Sequence, residues 1–277
     1  MKNICNVIKA KIENYGYKAE IKTIIKNGQE VTGISLGEGS VTPIIYPDKA
    51  FLSGKTVDEI VAEAIELLNN VNSVSYADMQ HYFSWEYAKN NLILCIQKKS
   101  NDAADILKKD FLDLELYVRV KISGNGWSTE DDFSSYKVKS GMFEVDEAEI
   151  FNRAFEQTRK NFVVKNMKDI TDLYANVVLK SSLCVPEMLI ITDRYCLYGA
   201  IALYNTELLH KIASVYGSNL VIVLSSIHEC IIIIDNEPDP SDYDETVQVI
   251  NRTRVAPEEQ LSDHVYIYDR SSGKIRY

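Results

Sequence analysis

The sequence predicts an α+β protein with mixed and antiparallel sheets, whose C-terminal part has the ferredoxin-like, split βαβ order β-α-β-β-α-β. Apolar residues dominate the short runs Leu220–Leu224 and Cys230–Ile234, which is typical of strands, and recur at helical spacing over Thr206–Tyr216. The insert Ser225–Glu229 between the two strands is too short for a crossover helix, so these strands are expected to form a hairpin.

The N-terminal part is predicted to begin with a helix over residues 1–14, because its apolar residues recur at helical spacing. Strands are expected at Ala19–Ile25 and Glu30–Leu36. They are joined through Asn27-Gly28, which favours a tight hairpin because both residues tolerate positive φ. A third strand is predicted over Val41–Tyr46.

Two capping boxes mark the starts of longer helices, Thr56-x-x-Glu59 and Asp146-x-x-Glu149. The first of these helices is expected to close at Asn69-Asn70. The other elements predicted before residue 180 are an aromatic-rich helix over 75–90, a strand at Leu92–Ile96, a short helix at Asp102–Leu107, strands at Leu114–Ile122 and Tyr136–Phe143, and a helix at Lys168–Leu179.

The last 90 residues are the most regular, and Gly217 is placed to cap the helix Thr206–Tyr216. A further helix is expected from Asp242-x-x-Glu245. The other expected strands are Met188–Thr192, His264–Tyr268 and a short one at Ile275–Tyr277. A change of character around residues 166–186 suggests two α+β domains, 1–165 and 166–277, with a soft boundary.

Composition indicates a cytoplasmic protein. No run approaches the ~20 apolar residues of a membrane-spanning helix, and lysines interrupt the N-terminus where a signal peptide would keep its apolar core. The cysteines are odd in number and form no C-x-x-C pair, which favours buried, reduced thiols. They are Cys5, Cys95, Cys184, Cys196 and Cys230.

The net charge of −10 is concentrated near the C-terminus. Residues 229–263 carry ten acidic residues against Arg252 and Arg254, which gives 2 − 10 = −8. Binding of nucleic acid phosphates needs clustered positive charge, and the N-terminal lysines are too sparse to supply it. We therefore expect segment 229–263 to bind a protein partner, and its weak candidate binding residues are Asp239, Asp242, Asp244 and Glu245.

The two arginines leave two interpretations open. At the end of a helix they could bind a phosphate or carboxylate bidentately, or they could complement the helix dipole and neighbouring acids. The second interpretation is the plainer one. The sequence does not fix the oligomeric state, and homo-oligomerisation through a sheet edge is a third, weaker hypothesis.

A hydrolytic site is the alternative hypothesis. A histidine near a carboxylate can act as a general base toward a serine, and two histidines lie beside such residues. The weak catalytic candidates are Ser225, Ser226, His228, Glu229, Asp263 and His264. Neighbouring residues of a strand point to opposite faces, so Asp263 is poorly placed to orient His264. No two histidines have helical metal-ligand spacing, so neither a metal nor a cofactor is expected.

The polar loop 123–135 contains Gly124-Asn125-Gly126, which resembles a phosphate-binding glycine motif only superficially because the third glycine and the following helix are missing. A hairpin loop is the better interpretation. Trp127 could be exposed there and bind a ligand, although such a ring more often folds back on the sheet.

Three stretches together carry a resemblance to a known family. They are Leu197-Tyr198-Gly199-Ala200, Ser225-Ser226-Ile227-His228-Glu229 and Val255-Ala256-Pro257-Glu258-Glu259-x-Leu261-Ser262-Asp263-His264-Val265-Tyr266. Gly33-Ile34, Pro43-x-Ile45-Tyr46 and Phe111-Leu112-Asp113-Leu114 fit as well. In this order they resemble an uncharacterised bacterial family, catalogued only as a domain of unknown function, that is common in Gram-positive anaerobes and often lies near mobile-element genes.

The resemblance covers most of the chain and implies no activity, cofactor or site. The chain departs from the family pattern before Ser225, where Val-Ile-Val-Leu replaces the expected Tyr-Ile-Leu-Pro. The first hypothesis is therefore a non-enzymatic binding or accessory protein that uses its acidic C-terminal face. The alternative is a hydrolase or transferase with a Ser/His site at the 225–229 hairpin and His264.

Overall fold

The computed structural model describes residues 2–27, 29–38, 42–52, 54–72, 80–99, 105–122, 134–167 and 187–277. These residues form helices and antiparallel sheets, which confirms the α+β class. The helices are α1 (Lys2–Asn14), α2 (Pro47–Leu52), α3 (Val57–Asn72), α4 (Trp85–Ala88), α5 (Glu147–Thr158), α6 (Thr206–Tyr216) and α7 (Ser241–Arg254). Residues Gly199–Tyr204 form a 3-10 helix.

The strands are β1 (Ala19–Lys26), β2 (Gln29–Leu36), β3 (Ile44–Ile45), β4 (Leu92–Lys98), β5 (Lys108–Phe111), β6 (Leu114–Ile122), β7 (Ser134–Lys137), β8 (Phe162–Asn166), β9 (Met188–Asp193), β10 (Leu220–Val223), β11 (Cys230–Ile234), β12 (Val265–Asp269) and β13 (Lys274–Arg276). The chain divides into two compact units, one of residues 1–91 and 120–136 and the other of 92–119 and 137–277. Most of the boundary region 166–186, and the helix predicted at 168–179, lie outside the described residues.

The first unit packs α1 and α3 around an apolar core with the sheet β1-β2-β3. Lys26 pairs with Gln29, and Asn27 between them has a φ of 48°, which confirms the predicted tight hairpin. The capping box of α3 is also confirmed, because the Thr56 N–H donates to the Glu59 carboxylate at 2.7 Å.

Several predictions for residues 41–143 are wrong in their described parts, including the strand predicted at Tyr136–Phe143, which ends at Lys137. The strand predicted over Val41–Tyr46 keeps only Ile44–Ile45, and α3 continues to Asn72 instead of closing at Asn69-Asn70. In the short helix predicted at Asp102–Leu107, Ile106 instead pairs with Lys139 as a β-bridge. Pairing with a neighbouring segment overrides local helical periodicity there. Trp127 and residues 123–133 lie outside the described part.

The second unit contains a six-stranded antiparallel sheet in the order β13-β12-β10-β11-β9-β8. The chain order β9-α6-β10-β11-α7-β12 confirms the predicted β-α-β-β-α-β order. Within the sheet, β12 lies beside β10, whereas a ferredoxin-like sheet places its fourth strand beside its first. The predicted hairpin of β10 and β11 is confirmed by their antiparallel pairing.

The strand order determines where the two helices lie. The crossovers from β9 to β10 and from β11 to β12 move in the same direction across the sheet, but their strands run in opposite directions. Right-handed crossovers then place α6 and α7 on opposite faces. Val247 of α7 accordingly packs with Val221, Val223 and Val265, while His210 of α6 contacts Tyr268 of β12. None of the helices that the structure describes is long and apolar enough to cross a bilayer.

Candidate functional site

The insert Ser225–Glu229 lies at one end of the six-stranded sheet and is held on both sides by other loops. On one side, the N–H of Ile227 donates to the Glu259 carbonyl and the N–H of Leu261 donates to the Ser225 carbonyl. On the other side, the His228 carbonyl accepts from the Gly199 N–H at 2.8 Å and from Thr192 Oγ1 at 2.9 Å. We call Tyr198–Ala200, Ser225–Glu229 and Glu259–Ser262 the loop junction.

The two candidate serines of the insert are buried, and both accept hydrogen bonds within the loop junction. Ser225 is 3% exposed and Ser226 is 5% exposed. Ser226 Oγ accepts from the His228 N–H at 3.0 Å. A nucleophilic serine needs a hydroxyl that a substrate can reach, and this geometry does not offer one.

His228 is fixed through its backbone, but its imidazole makes weak contacts. Nε2 lies 3.5 Å from Glu259 Oε1, and the Tyr198 ring centre lies 5.8 Å from the imidazole. Nδ1 is buried and has no hydrogen-bond partner. A buried nitrogen cannot take a proton from a bound substrate in this conformation, so the dyad of His228 and Glu259 is not arranged as a general base.

Burial raises the pKa of Glu229, and the neighbouring Glu259 carboxylate adds to this effect, while His228 and the Ser226 hydroxyl oppose it. A carboxyl whose folded-state pKa lies above its unfolded value stabilises the fold when protonated. That contribution is present below the ordinary pKa of 4.5 and is lost as the pH rises through the folded-state pKa.

Glu229→Gln is therefore expected to gain stability relative to the wild type as the pH rises, because glutamine cannot ionise at this partly buried position. The free energies of unfolding of both proteins should be measured by urea titration at about pH 4 and about pH 7. Glu237→Gln, at an exposed position, shows the effect of removing one negative charge. A difference in free energy of unfolding between E229Q and the wild type that is the same at both pH values would contradict the effect of burial on Glu229.

His264 lies in a different set of contacts, at the start of β12. Its Nε2 is 2.9 Å from Asp113 Oδ2 and its Nδ1 is 3.1 Å from the Val265 carbonyl. Asp113 also accepts from the Tyr266 hydroxyl at 2.8 Å. Both ring nitrogens face acceptors, so neither is free to act on a substrate. The Asp263 carboxylate accepts instead from Asn251 Nδ2 at 2.7 Å.

The two histidines therefore have different carboxylate partners, Glu259 and Asp113, that the sequence did not nominate as site residues. Asp113 lies 151 positions from His264, and local spacing contains no signal for such a pairing. The only available signal was that Phe111-Leu112-Asp113-Leu114 belongs to the stretches that carry the family resemblance.

Four described non-glycine residues have positive φ, and three of them flank these histidine contacts. They are Tyr198 in the loop junction, Cys196 just before it and Leu112 beside Asp113, with φ of 55°, 57° and 56°. Non-glycine residues in the left-handed region carry strain that the surrounding structure must offset, and such strain often occurs at functional sites.

The acidic segment 229–263 separates into residues used by the fold and residues left exposed. Asp235 accepts from the Tyr243 hydroxyl at 2.7 Å, and Asp244 accepts from the Val265 N–H at 2.9 Å. Four of the exposed acids lie close in sequence around the start of α7, and we call them the acidic patch: Glu237, Asp239, Asp242 and Glu245. Within this patch, hydrogen bonds from Ser241 lower the pKa of Asp239.

Arg252 and Arg254 occupy the last turn of α7, and both are exposed. Neither forms an ion pair with any residue that the structure describes. Their position suits the negative end of the helix dipole, which is one part of the plainer interpretation of the sequence. The pairing with neighbouring acids, which is its other part, is not seen among the described residues. In the described ranges, no three His, Cys, Asp or Glu side chains are grouped so as to hold a metal ion.

A family model for a family of unknown function, DUF5688, matches residues 1–270. The chain belongs to the DUF5688 family. This confirms the resemblance to an uncharacterised family, and membership of DUF5688 brings no assigned activity with it. No curated protein and no solved structure matches the chain.

Proposed function

We propose that this is a non-enzymatic, cytoplasmic protein that binds a basic protein partner through its acidic patch. The observation that carries the proposal is that Asp242, Glu245 and Glu237 are exposed and form no ion pair with the described residues. Carboxylates held together outside ion pairs attract a surface of opposite charge and speed its association. The charge of Arg276 acts on Asp239 of the same patch, but Asp239 is not one of the three residues that carry the proposal.

The contacts of the candidate serines and histidines favour binding over hydrolysis. The hydroxyls of Ser225 and Ser226 are buried, the free nitrogen of His228 is buried, and both nitrogens of His264 face acceptors. The described cysteines, Cys5, Cys95, Cys196 and Cys230, carry free thiols, and Cys196 is exposed. An exposed free thiol suits a reducing compartment, which supports the cytoplasmic part of the proposal.

The test must spare the acids that the fold uses. Asp239 accepts from the Ser241 N–H and Asp244 accepts from the Val265 N–H, so their replacement would perturb α7 itself. The patch variant therefore combines Glu237→Gln, Asp242→Asn and Glu245→Gln. The control removes the same charge elsewhere, at the exposed Glu66, Glu144 and Glu147, each changed to glutamine.

The patch variant is expected to bind fluorescein-labelled decalysine about tenfold more weakly than the wild type at low salt, because three exposed charge contacts contribute about 0.5 kcal/mol each. Fluorescence anisotropy measures the affinity, and rising salt should reduce the difference. The control variant should stay close to the wild type. Equal losses in the two variants would show that only the net charge of the chain matters, and would refute the patch.

A further inference from the structure

One face of α7 carries both signs of charge in an ordered stripe. Asp242, Glu245, Val249 and Arg252 follow one another at spacings of three, four and three residues, which places them on one side of the helix. All four are exposed, and Val249 has 45% of its surface accessible to solvent. The acids occupy the first half of the stripe and the arginine occupies the last turn, with an apolar residue between them.

The charges of such a stripe are complementary to those of an identical stripe that runs in the opposite direction. An antiparallel copy of the helix presents its Arg252 to the acids and its acids to Arg252, and a two-fold axis needs this self-complementarity. With an axis beside Val249, Glu245 of each copy faces Arg252 of the other. Arg254 lies two residues further on, on the opposite side of the helix, and takes no part in these pairs. The 14-residue helix is about 21 Å long, so all of these pairs fit along it.

We propose that this face of α7 packs antiparallel against α7 of a second copy of this chain. The inference rests on the proposed function and names the basic partner: the arginine comes from the second copy. Arg252 has no ion pair with a described residue of its own chain, so its guanidinium group can bind a carboxylate bidentately across the axis.

The helix dipole explains the distribution of charge along α7 only in part. Acids at the N-terminal end and arginines at the C-terminal end stabilise any isolated helix. The dipole gives no reason for Val249 to stand exposed on the same stripe, whereas a dimer covers Val249 of both copies at the axis. One helix pair buries less than a standard protein interface, so the dimer is weak and weakens further in salt.

The test uses charge reversal in the full chain. Asp242→Arg with Glu245→Arg makes the stripe wholly basic, and Arg252→Glu makes it wholly acidic. Each variant alone should self-associate at least about tenfold more weakly than the wild type, since like charges now face each other. An equimolar mixture should recover the association, because the two reversed stripes complement each other.

Sedimentation equilibrium at low salt measures these associations, and circular dichroism checks that both variants keep their helices. Glu144→Arg with Glu147→Arg makes the same charge change at the start of α5 and should leave self-association unchanged. A wild type that stays monomeric at all concentrations overturns the proposal, and so does a mixture that shows no recovery. The wild type could be monomeric while decalysine binding is still weakened in the patch variant and not in its control. In that case the acidic patch binds a different basic protein, and only the dimer proposal fails.

Discussion

Gly199→Ala is expected to lower the free energy of unfolding by about 3 kcal/mol, because the added methyl group has no room. A Cβ at this position would lie 2.6 Å from the His228 carbonyl oxygen, the Ile191 carbonyl oxygen and the Thr192 Cα. All three are backbone atoms of the sheet end and the loop junction, so no flexible side chain can move aside. The hydrogen bond from the Gly199 N–H to the His228 carbonyl would be strained as well.

Chemical denaturation followed by circular dichroism measures this loss. Gly217→Ala is the matched control, because Gly217 has a φ of 67° and open space where its Cβ would lie. It should cost about 1 kcal/mol, from left-handed backbone strain alone. Equal costs at the two glycines would mean that the close approach of Gly199 to the insert does not hold the junction.

Asp113→Ala is expected to cost about 2–3 kcal/mol, since it leaves two donors without their acceptor. The Tyr266 hydroxyl donates to Asp113 Oδ1, and His264 Nε2 lies 2.9 Å from Oδ2. Tyr266 is fully buried, so water cannot readily replace the lost acceptor. The carboxylate thereby links the β5–β6 hairpin to the start of β12.

The same denaturation measurement separates this link from a surface effect. Asp110→Ala removes a carboxylate of the same hairpin that forms an ion pair with the exposed Lys99, and should cost less than about 1 kcal/mol. Adding Tyr266→Phe to Asp113→Ala should recover part of the loss, because the unsatisfied donor is then gone. If the double variant is no more stable than Asp113→Ala, the effect of Asp113 does not come from its hydrogen bond with Tyr266.

Local sequence determined the elements whose causes are local. The hairpin at Asn27 follows from a residue that tolerates positive φ, and α5 begins where the Asp146 side chain accepts from the Ala148 N–H. The end of α6 follows from Gly217, whose N–H donates to the Ala213 carbonyl. Each of these signals lies within a few residues of its effect.

The candidate residues of the insert were also found from sequence, but their roles were not. A serine beside a histidine suggests a nucleophile, yet Ser226 Oγ accepts from the His228 backbone N–H. A run of acids suggests a binding surface, yet Asp244 accepts from Val265. Composition shows which groups are present, whereas hydrogen bonds to distant segments decide which of them the fold uses.

The sequence by itself therefore determined the α+β class, the order β-α-β-β-α-β and most element boundaries of the C-terminal part, because hydrophobic period, caps and turn residues act over one or two turns of chain. Only the tertiary structure decided the position of β12 beside β10, the pairing of Asp113 with His264 and the hydrogen bonds that hold Ser225–Glu229 in the loop junction. These depend on where crossovers return the chain, and contacts between residues far apart in sequence leave no trace in local periodicity.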